Sequence, residues 1–332
     1  MNFHAVPPRR DGNPHEQTLE FRRPMQPIAD GIFLVPGPKG GRFPFSHSVL
    51  ILDRVRVLLD AGCGRETLRR IQAEFSPDLV FLSHGHPDHC SGSSVFSPSQ
   101  LWTPVESRET TGRLAAMAER LIAPHLRDEW MSFMREEIDF RDFKAENTFS
   151  ADASFDLGTR TLIPVHAPGH ADDHYGFHVP EAEIMVCTDI DFTPFGPWYA
   201  NEECDIDLFI QSIRLVRNRP MKAAVSSHLG VILDDISKRF DRFLACFDRR
   251  DERILRLLDR PAGLDELVDE AVIYRSFPVR PHILRFWERQ MLKKHLQRLV
   301  RLGRVREQDG AFHRTVMDDP RKPAPHSFDR AP

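Results

Sequence analysis

Residues 78–89 read DLVFLSHGHPDH: an apolar run ending at Ser83, then His84, His86, Asp88 and His89 within six positions. Side chains alternate along a strand, so four donors this close cannot share one strand face. They require a loop that curls around a point, and Gly85 and Pro87 suit such a turn. Neutral imidazoles with a carboxylate are good ligands for Zn²⁺ or Fe. The competing reading is a surface cluster, or histidines capping the helix that follows.

Working outward, other strand-like runs also end in donor residues. TLIPVHA leads to Pro168-Gly169-His170, EIMVCTD ends at Asp189, and KAAVSSH ends at His228. Functional groups gathered at strand ends are what a rigid sheet offers a site. IADGIFLVP, SVLILD, VRVLLDAG, LWTP and YGFHVP read as further strands, with a hairpin break at Asp53-Arg54. A helix is expected over 65–75. Between 105 and 143, Leu114, Met117, Leu121, Trp130, Phe133 and Met134 recur at helical spacing, which predicts a helical insertion. Alternating strands and helices imply an α/β fold, with helices packed outside sheets.

The order HxHxDH, PGH, strand-terminal Asp and strand-terminal His resembles the metallo-β-lactamase superfamily over roughly residues 28–235. The resemblance implies an αββα sandwich with the site along one edge of the sheets. It implies that His84, His86 and His170 hold one metal, that Asp88, His89 and His228 hold a second, and that Asp189 bridges them. Asp60 matches a position that supports a metal-bound histidine, although a turn residue is the equal alternative. His174 lies where many relatives carry a histidine, with roles behind the ligands or beside the substrate both open. Three features depart from the pattern. Leu229 precedes Gly230 after the last histidine, Thr188 stands where glycine usually precedes the aspartate, and His47 stands where many relatives have Asn.

Two divalent ions, Zn first and Fe or Mn as alternatives, would lower the pKa of a shared water toward ~7 and provide hydroxide at neutral pH. Asp88 is the candidate catalytic carboxylate, orienting that hydroxide. The expected reaction is hydrolysis of an ester, thioester or lactone of a small molecule. The aromatic stretch DFTPFGPWY (191–199), with Trp198, either shapes an apolar substrate pocket or packs beneath a long loop. The insertion reads as a lid or as the interface of a homo-oligomer.

After Ser237 the chain reads as helical. A helix from Ile236 toward Leu258, one over 264–272 and one from Pro281 to Leu302 capped by Gly303 precede a hairpin turning at Gln308-Asp309-Gly310. This order predicts a small winged-helix-like domain. Residues 280–306 hold nine Lys/Arg against a single acid, Glu288. Such a basic helix is either a solvated face or a contact for RNA. The second reading would make the protein a metallo-endoribonuclease or phosphodiesterase, and a third is a DNA-binding sensor. The expected organisation is a mobile arm (1–27), a catalytic domain (28–248), the winged-helix-like domain (249–317) and a disordered tail (318–332).

Five scattered cysteines without a CxxC pair indicate neither a disulfide framework nor a zinc knuckle. No apolar run approaches the ~20 residues of a membrane span, and no secretory apolar segment opens the sequence, so a cytoplasmic location is expected.

Overall fold

The computed structural model describes residues 25–315. The proposed tail at 318–332 lies outside them, as does the proposed N-terminal arm up to residue 24. The arm's remaining residues differ from expectation. Met25 is buried, and Gln26 and Pro27 already belong to the first strand.

Seven strands form one sheet: β1 (Gln26–Ala29), β2 (Ile32–Val35), β3 (Ser48–Ile51), β4 (Val57–Leu59), β5 (Leu79–Phe81), β6 (Leu101–Pro104) and β7 (Asn147–Phe149), paired in chain order. The first four are antiparallel, and β4 to β7 run parallel. The second sheet holds β8 (Phe155–Asp156), β9 (Thr161–His166), β10 (Tyr175–Val179), β11 (Ile184–Thr188), β12 (Ala223–Ser226) and β13 (Gly230–Ile232). It runs from β13 across to β8, with β11 and β12 parallel.

Alternation along these strands builds a four-layer body. Val49, Ile51, Val57, Leu59 and Phe81 meet Phe155, Leu162, Phe177, Val186 and Val225 between the sheets. Their neighbours Leu50, Leu58 and Val80 point outward onto Leu68, Ile71 and Phe75 of the region of helix α1 (Arg65–Glu74). The single strand expected over 28–35 is instead a hairpin. Gly31 at φ +67° turns it, and a Cβ there would lie 2.6 Å from the Leu52 carbonyl oxygen, so the position demands glycine.

Further helices are α2 (Pro87–Cys90), α3 (Leu114–Leu121), α4 (Arg127–Ile138), α5 (Ile206–Arg217), α6 (Ile236–Leu257), α7 (Leu264–Asp269) and α8 (Pro281–Arg301). The expected helical insertion is α3 and α4. The reading from sequence did not include α5, although Asp205 caps it by accepting from the Leu208 N–H, and Phe209, Ile213 and Val216 recur at helical spacing. Strands β14 (Val305–Gln308) and β15 (Ala311–Arg314) pair around Asp309-Gly310, both at positive φ as a tight hairpin turn requires. No helix among the described residues is long and apolar enough to cross a membrane.

The expected boundary at 248/249 falls inside α6. Phe240, Phe243 and Phe247 on that helix belong to the same buried cluster as Ile254, Leu255, Met291 and Leu296. Phe247 is fully buried, stacked on Tyr199 at 5.4 Å and edge-on to Phe209. Phe247→Ala should therefore cost about 3–5 kcal/mol. Because the core is continuous, urea unfolding followed by fluorescence and by circular dichroism should show one coincident transition. Two separated transitions would contradict a shared core.

Candidate metal centre

The DLVFLSHGHPDH segment places its donors through ordinary backbone rules. His86 is extended (φ −82°, ψ 143°), as a residue before proline prefers, and Pro87 opens the short α2. The helix carries Asp88 and His89 back toward His84. Its backbone docks on the turn after β4: Ala61 N–H donates to the His89 carbonyl at 2.7 Å, and Ser46 Oγ to the Asp88 carbonyl at 2.9 Å. A Cβ at Gly62 would lie 1.7 Å from that Asp88 oxygen, so only glycine allows the approach.

Two donor groups result. His84 Nε2, His86 Nδ1 and His170 Nε2 lie 2.8–3.3 Å from one another, with Asp189 Oδ2 at 3.1 Å from His170 and 3.7 Å from His84. In the second group, Asp189 Oδ1 lies 2.9 Å from His89 Nε2 and 3.4 Å from His228 Nε2. Asp88 Oδ2 is 3.5 Å from His228 and 3.8 Å from His89. All seven residues proposed as ligands thus converge, and Asp189 has one oxygen in each group.

These residues fit cations. His170 Nδ1 donates to the Trp198 carbonyl (2.9 Å) and His228 Nδ1 to the Gly41 carbonyl (2.6 Å), while His89 Nδ1 pairs with Asp60 (2.8 Å). When these rings are neutral their protons are on Nδ1, and the Nε2 lone pairs face inward. Among the described residues, His89 Nε2 and Asp189 Oδ1 are buried without a well-formed hydrogen bond, although they lie 2.9 Å apart. Inward lone pairs at hydrogen-bond distance repel unless positive charge sits among them. An oxygen and nitrogen donor set without thiolate suits Zn, Fe or Mn.

Asp60 lies behind His89, its carboxylate 2.8 Å from the ring Nδ1. Besides His89, it accepts from the Ser83 N–H at 2.7 Å and the Ser83 hydroxyl at 2.9 Å. His174 sits behind the ligands rather than in a substrate pocket: it is fully buried, donates from Nδ1 to the Ala167 carbonyl, and accepts at Nε2 from the Asp189 N–H (3.3 Å). Trp198 lies edge-on to the His86 ring at 5.5 Å. Its indole N–H donates to the Tyr274 hydroxyl at 2.7 Å, and its ring meets Trp287 of α8.

Several partners escaped the sequence reading. Asp173 accepts from the Gly85 N–H at 2.7 Å and pairs with Arg120 of α3, which ties the insertion to the ligand loop. Arg250 of α6 donates to the Pro197 and Phe195 carbonyls, and Asn201 lies against His86. None of these has a motif that announces it. Six of the nine cations in the stretch 280–306 face carboxylates. Arg280, Arg285, Arg289, Arg298, Arg301 and Arg304 pair with Glu136, Asp269, Asp265, Asp207 (twice) and Glu252, and Lys294 donates to the Glu202 carbonyl.

Without metal the site holds protons. Burial opposes charge on His228, but Asp189 and Asp88 outweigh it and raise that imidazole to about 9; His89 is raised against burial in the same way by Asp189, Asp60 and Asp88. Burial and neighbouring imidazoles push His84 and His86 down, so these are ready donors at neutral pH. A cation must displace the protons of the raised histidines, so affinity should climb as pH rises toward about 9. Zinc titration calorimetry at pH 7, in buffers of different ionisation enthalpy, should register proton release. A heat independent of buffer would contradict this assignment.

Residues 41–228 match the family profile described as Metallo-beta-lactamase superfamily. A lactamase-like protein, ptaB, from Pestalotiopsis fici is 22% identical over 78% of this chain and 74% of its own length. An atrochrysone carboxyl ACP thioesterase from Pseudocercospora fijiensis is 23% identical over 74% of this chain and 68% of its own. Among solved structures, a beta-lactamase domain protein from Burkholderia ambifaria aligns with TM-score 0.67 at 19% identity, covering 91% of this chain and 97% of that one. A metallo-beta-lactamase family protein from Thermus thermophilus aligns with TM-score 0.66 at 20% identity, covering 87% and 100%.

Proposed function

The chain belongs to the metallo-beta-lactamase superfamily of hydrolases, and from that premise we propose that it hydrolyses a thioester of a small acyl group at two divalent metal ions, zinc foremost. The carrying observation is Asp189, whose two carboxylate oxygens each enter a different donor group. His84, His86 and His170 would hold one ion and Asp88, His89 and His228 the other, with Asp189 shared. Ions there supply charge that ionises water near pH 7 and offsets the oxyanion of an attacked carbonyl.

The chain's own residues do the rest. Asp88, nearly buried and pushed up by that burial, is placed to orient the attacking water and hold its proton. Asp60, Trp198 and Gly41 fix the rings of His89, His170 and His228. Trp198 and Trp287 form an aromatic wall beside His86, suited to an apolar acyl group. Hydrolysis adds water across the C–S bond and yields a carboxylic acid and a thiol. Two of the similar proteins cited above bear lactamase-like and thioesterase names, and the second supports a thioester over an ester or lactone.

The C-terminal order of α7, α8 and the β14–β15 hairpin accords with a winged-helix-like unit, but its paired cations favour a packing role over RNA binding. The test is release of thiol from a panel of acyl thioesters. Chelation should abolish turnover and zinc restore it, and Asp189→Ala should lower kcat/KM by at least about 10²-fold. Full turnover by the chelated protein would overturn the proposal, as would a parental rate in Asp189→Ala.

A further inference from the structure

Each ligand histidine has two ring nitrogens, and the outer one shows which tautomer the protein supports. The outer nitrogens of His170, His89 and His228 face acceptors: the Trp198 carbonyl, the Asp60 carboxylate and the Gly41 carbonyl. That of His84 faces the Ser83 hydroxyl, which can play either part. His86 differs. Its inner atom is Nδ1, and its outer Nε2 lies 2.8 Å from Nδ2 of Asn201, a group that can only donate. The carboxamide oxygen of Asn201, buried with its residue, has no partner among the described residues.

This pairing suits the wrong tautomer for metal. A neutral imidazole carries one proton, and a ring that gives its Nδ1 lone pair to a cation keeps that proton on Nε2. An Nε2–H in this buried place needs an acceptor. A half-turn of the Asn201 carboxamide exchanges its oxygen and nitrogen with little change of shape. It puts the orphaned oxygen against His86.

We propose that Asn201 is the positioning residue for His86: its carboxamide oxygen accepts the Nε2–H bond and fixes the tautomer that offers Nδ1 to a divalent cation. The inference rests on the metal reading above. Asn201 shares its loop with Trp198, which holds His170, so one loop sets two of the three imidazoles of the first group. That loop is in turn gripped by Arg250 of α6 and Lys294 of α8.

The test uses the full chain stripped of metal, with zinc titrated against a chromophoric chelator. Asn201→Leu removes the acceptor, and Asn201→Asp keeps an acceptor of the same size. The leucine variant should bind one zinc equivalent about 10–100-fold more weakly, and the aspartate variant at least as tightly as the parent. Nitrogen-15 spectra of the zinc-loaded parent should show His86 protonated at Nε2. If the leucine variant fails to fold, the aspartate variant decides: zinc affinity below the parent's would overturn the assignment. Parental affinity in Asn201→Leu, equal weakening in both variants, or His86 protonated at Nδ1 would overturn the assignment to Asn201 alone. A parent that binds no zinc would instead remove the metal reading itself, and this proposal with it.

Discussion

The Asp189 carboxylate is the constraint around which the site is arranged. One side chain cannot place an oxygen in each of two donor groups unless both groups are fixed against the same strand end. Strand β11 ends beside Asp189, and its parallel neighbour β12 ends just before His228, so the two donors emerge on one edge. From the facing sheet β5 emerges at His84, between parallel neighbours. Parallel strands present their carboxyl ends together, and a sandwich of two such sheets brings both edges to one line. Burying that many polar donors is costly unless a charge compensates them. The rigidity of the two sheets is what holds them in place.

The C-terminal helices belong to the same argument. Read as sequence, α8 is a basic helix. In the fold, its cations meet acids on α4, α5, α6 and α7 or in the adjoining turns, and Arg298 reaches both Asp207 and the buried Asp251. Each exposed pair adds little stability. Together they offset part of the positive charge that a polyanion would meet. What α6 and α8 hold is the 191–203 loop, through Arg250, Lys294 and the Tyr274–Trp198 bond, with Glu288 accepting the Ile273 and Tyr274 N–H groups. This explains why the sandwich and the helices share one core.

The seven converging donors were legible because metal-type donors must be particular residue types, and strand ends with polar residues are conspicuous against apolar runs. Strands such as β3, β5 and β11 were legible because burial on both faces leaves a continuous apolar run. Less was visible where the signal is short or not in side chains. Strands β7 and β8 span three and two residues, too few for a period. The β1–β2 turn hid in a run apolar on both sides of Asp30-Gly31. The acceptors that orient His170 and His228 are backbone carbonyls of Trp198 and Gly41, which any residue type could provide. Asp173 and Asn201 act across 88 and 115 positions of sequence, and nothing local marks a pairing of that range.

Thr188 shows why a departure from the family pattern need not disturb the site. It stands at φ +49°, a region where glycine is at ease and a β-branched residue is strained by about 1–3 kcal/mol. The usual glycine is thereby explained: the backbone must turn here to aim the next residue inward. Threonine makes the same turn and adds a hydroxyl, 2.7 Å from His174 Nε2 and 3.0 Å from the Tyr175 carbonyl. Its one proton serves either acceptor, and when it goes to Tyr175 the Asp189 N–H is left to donate to His174. The strained residue and the buried histidine therefore brace Asp189 from behind, where glycine would have offered the turn alone.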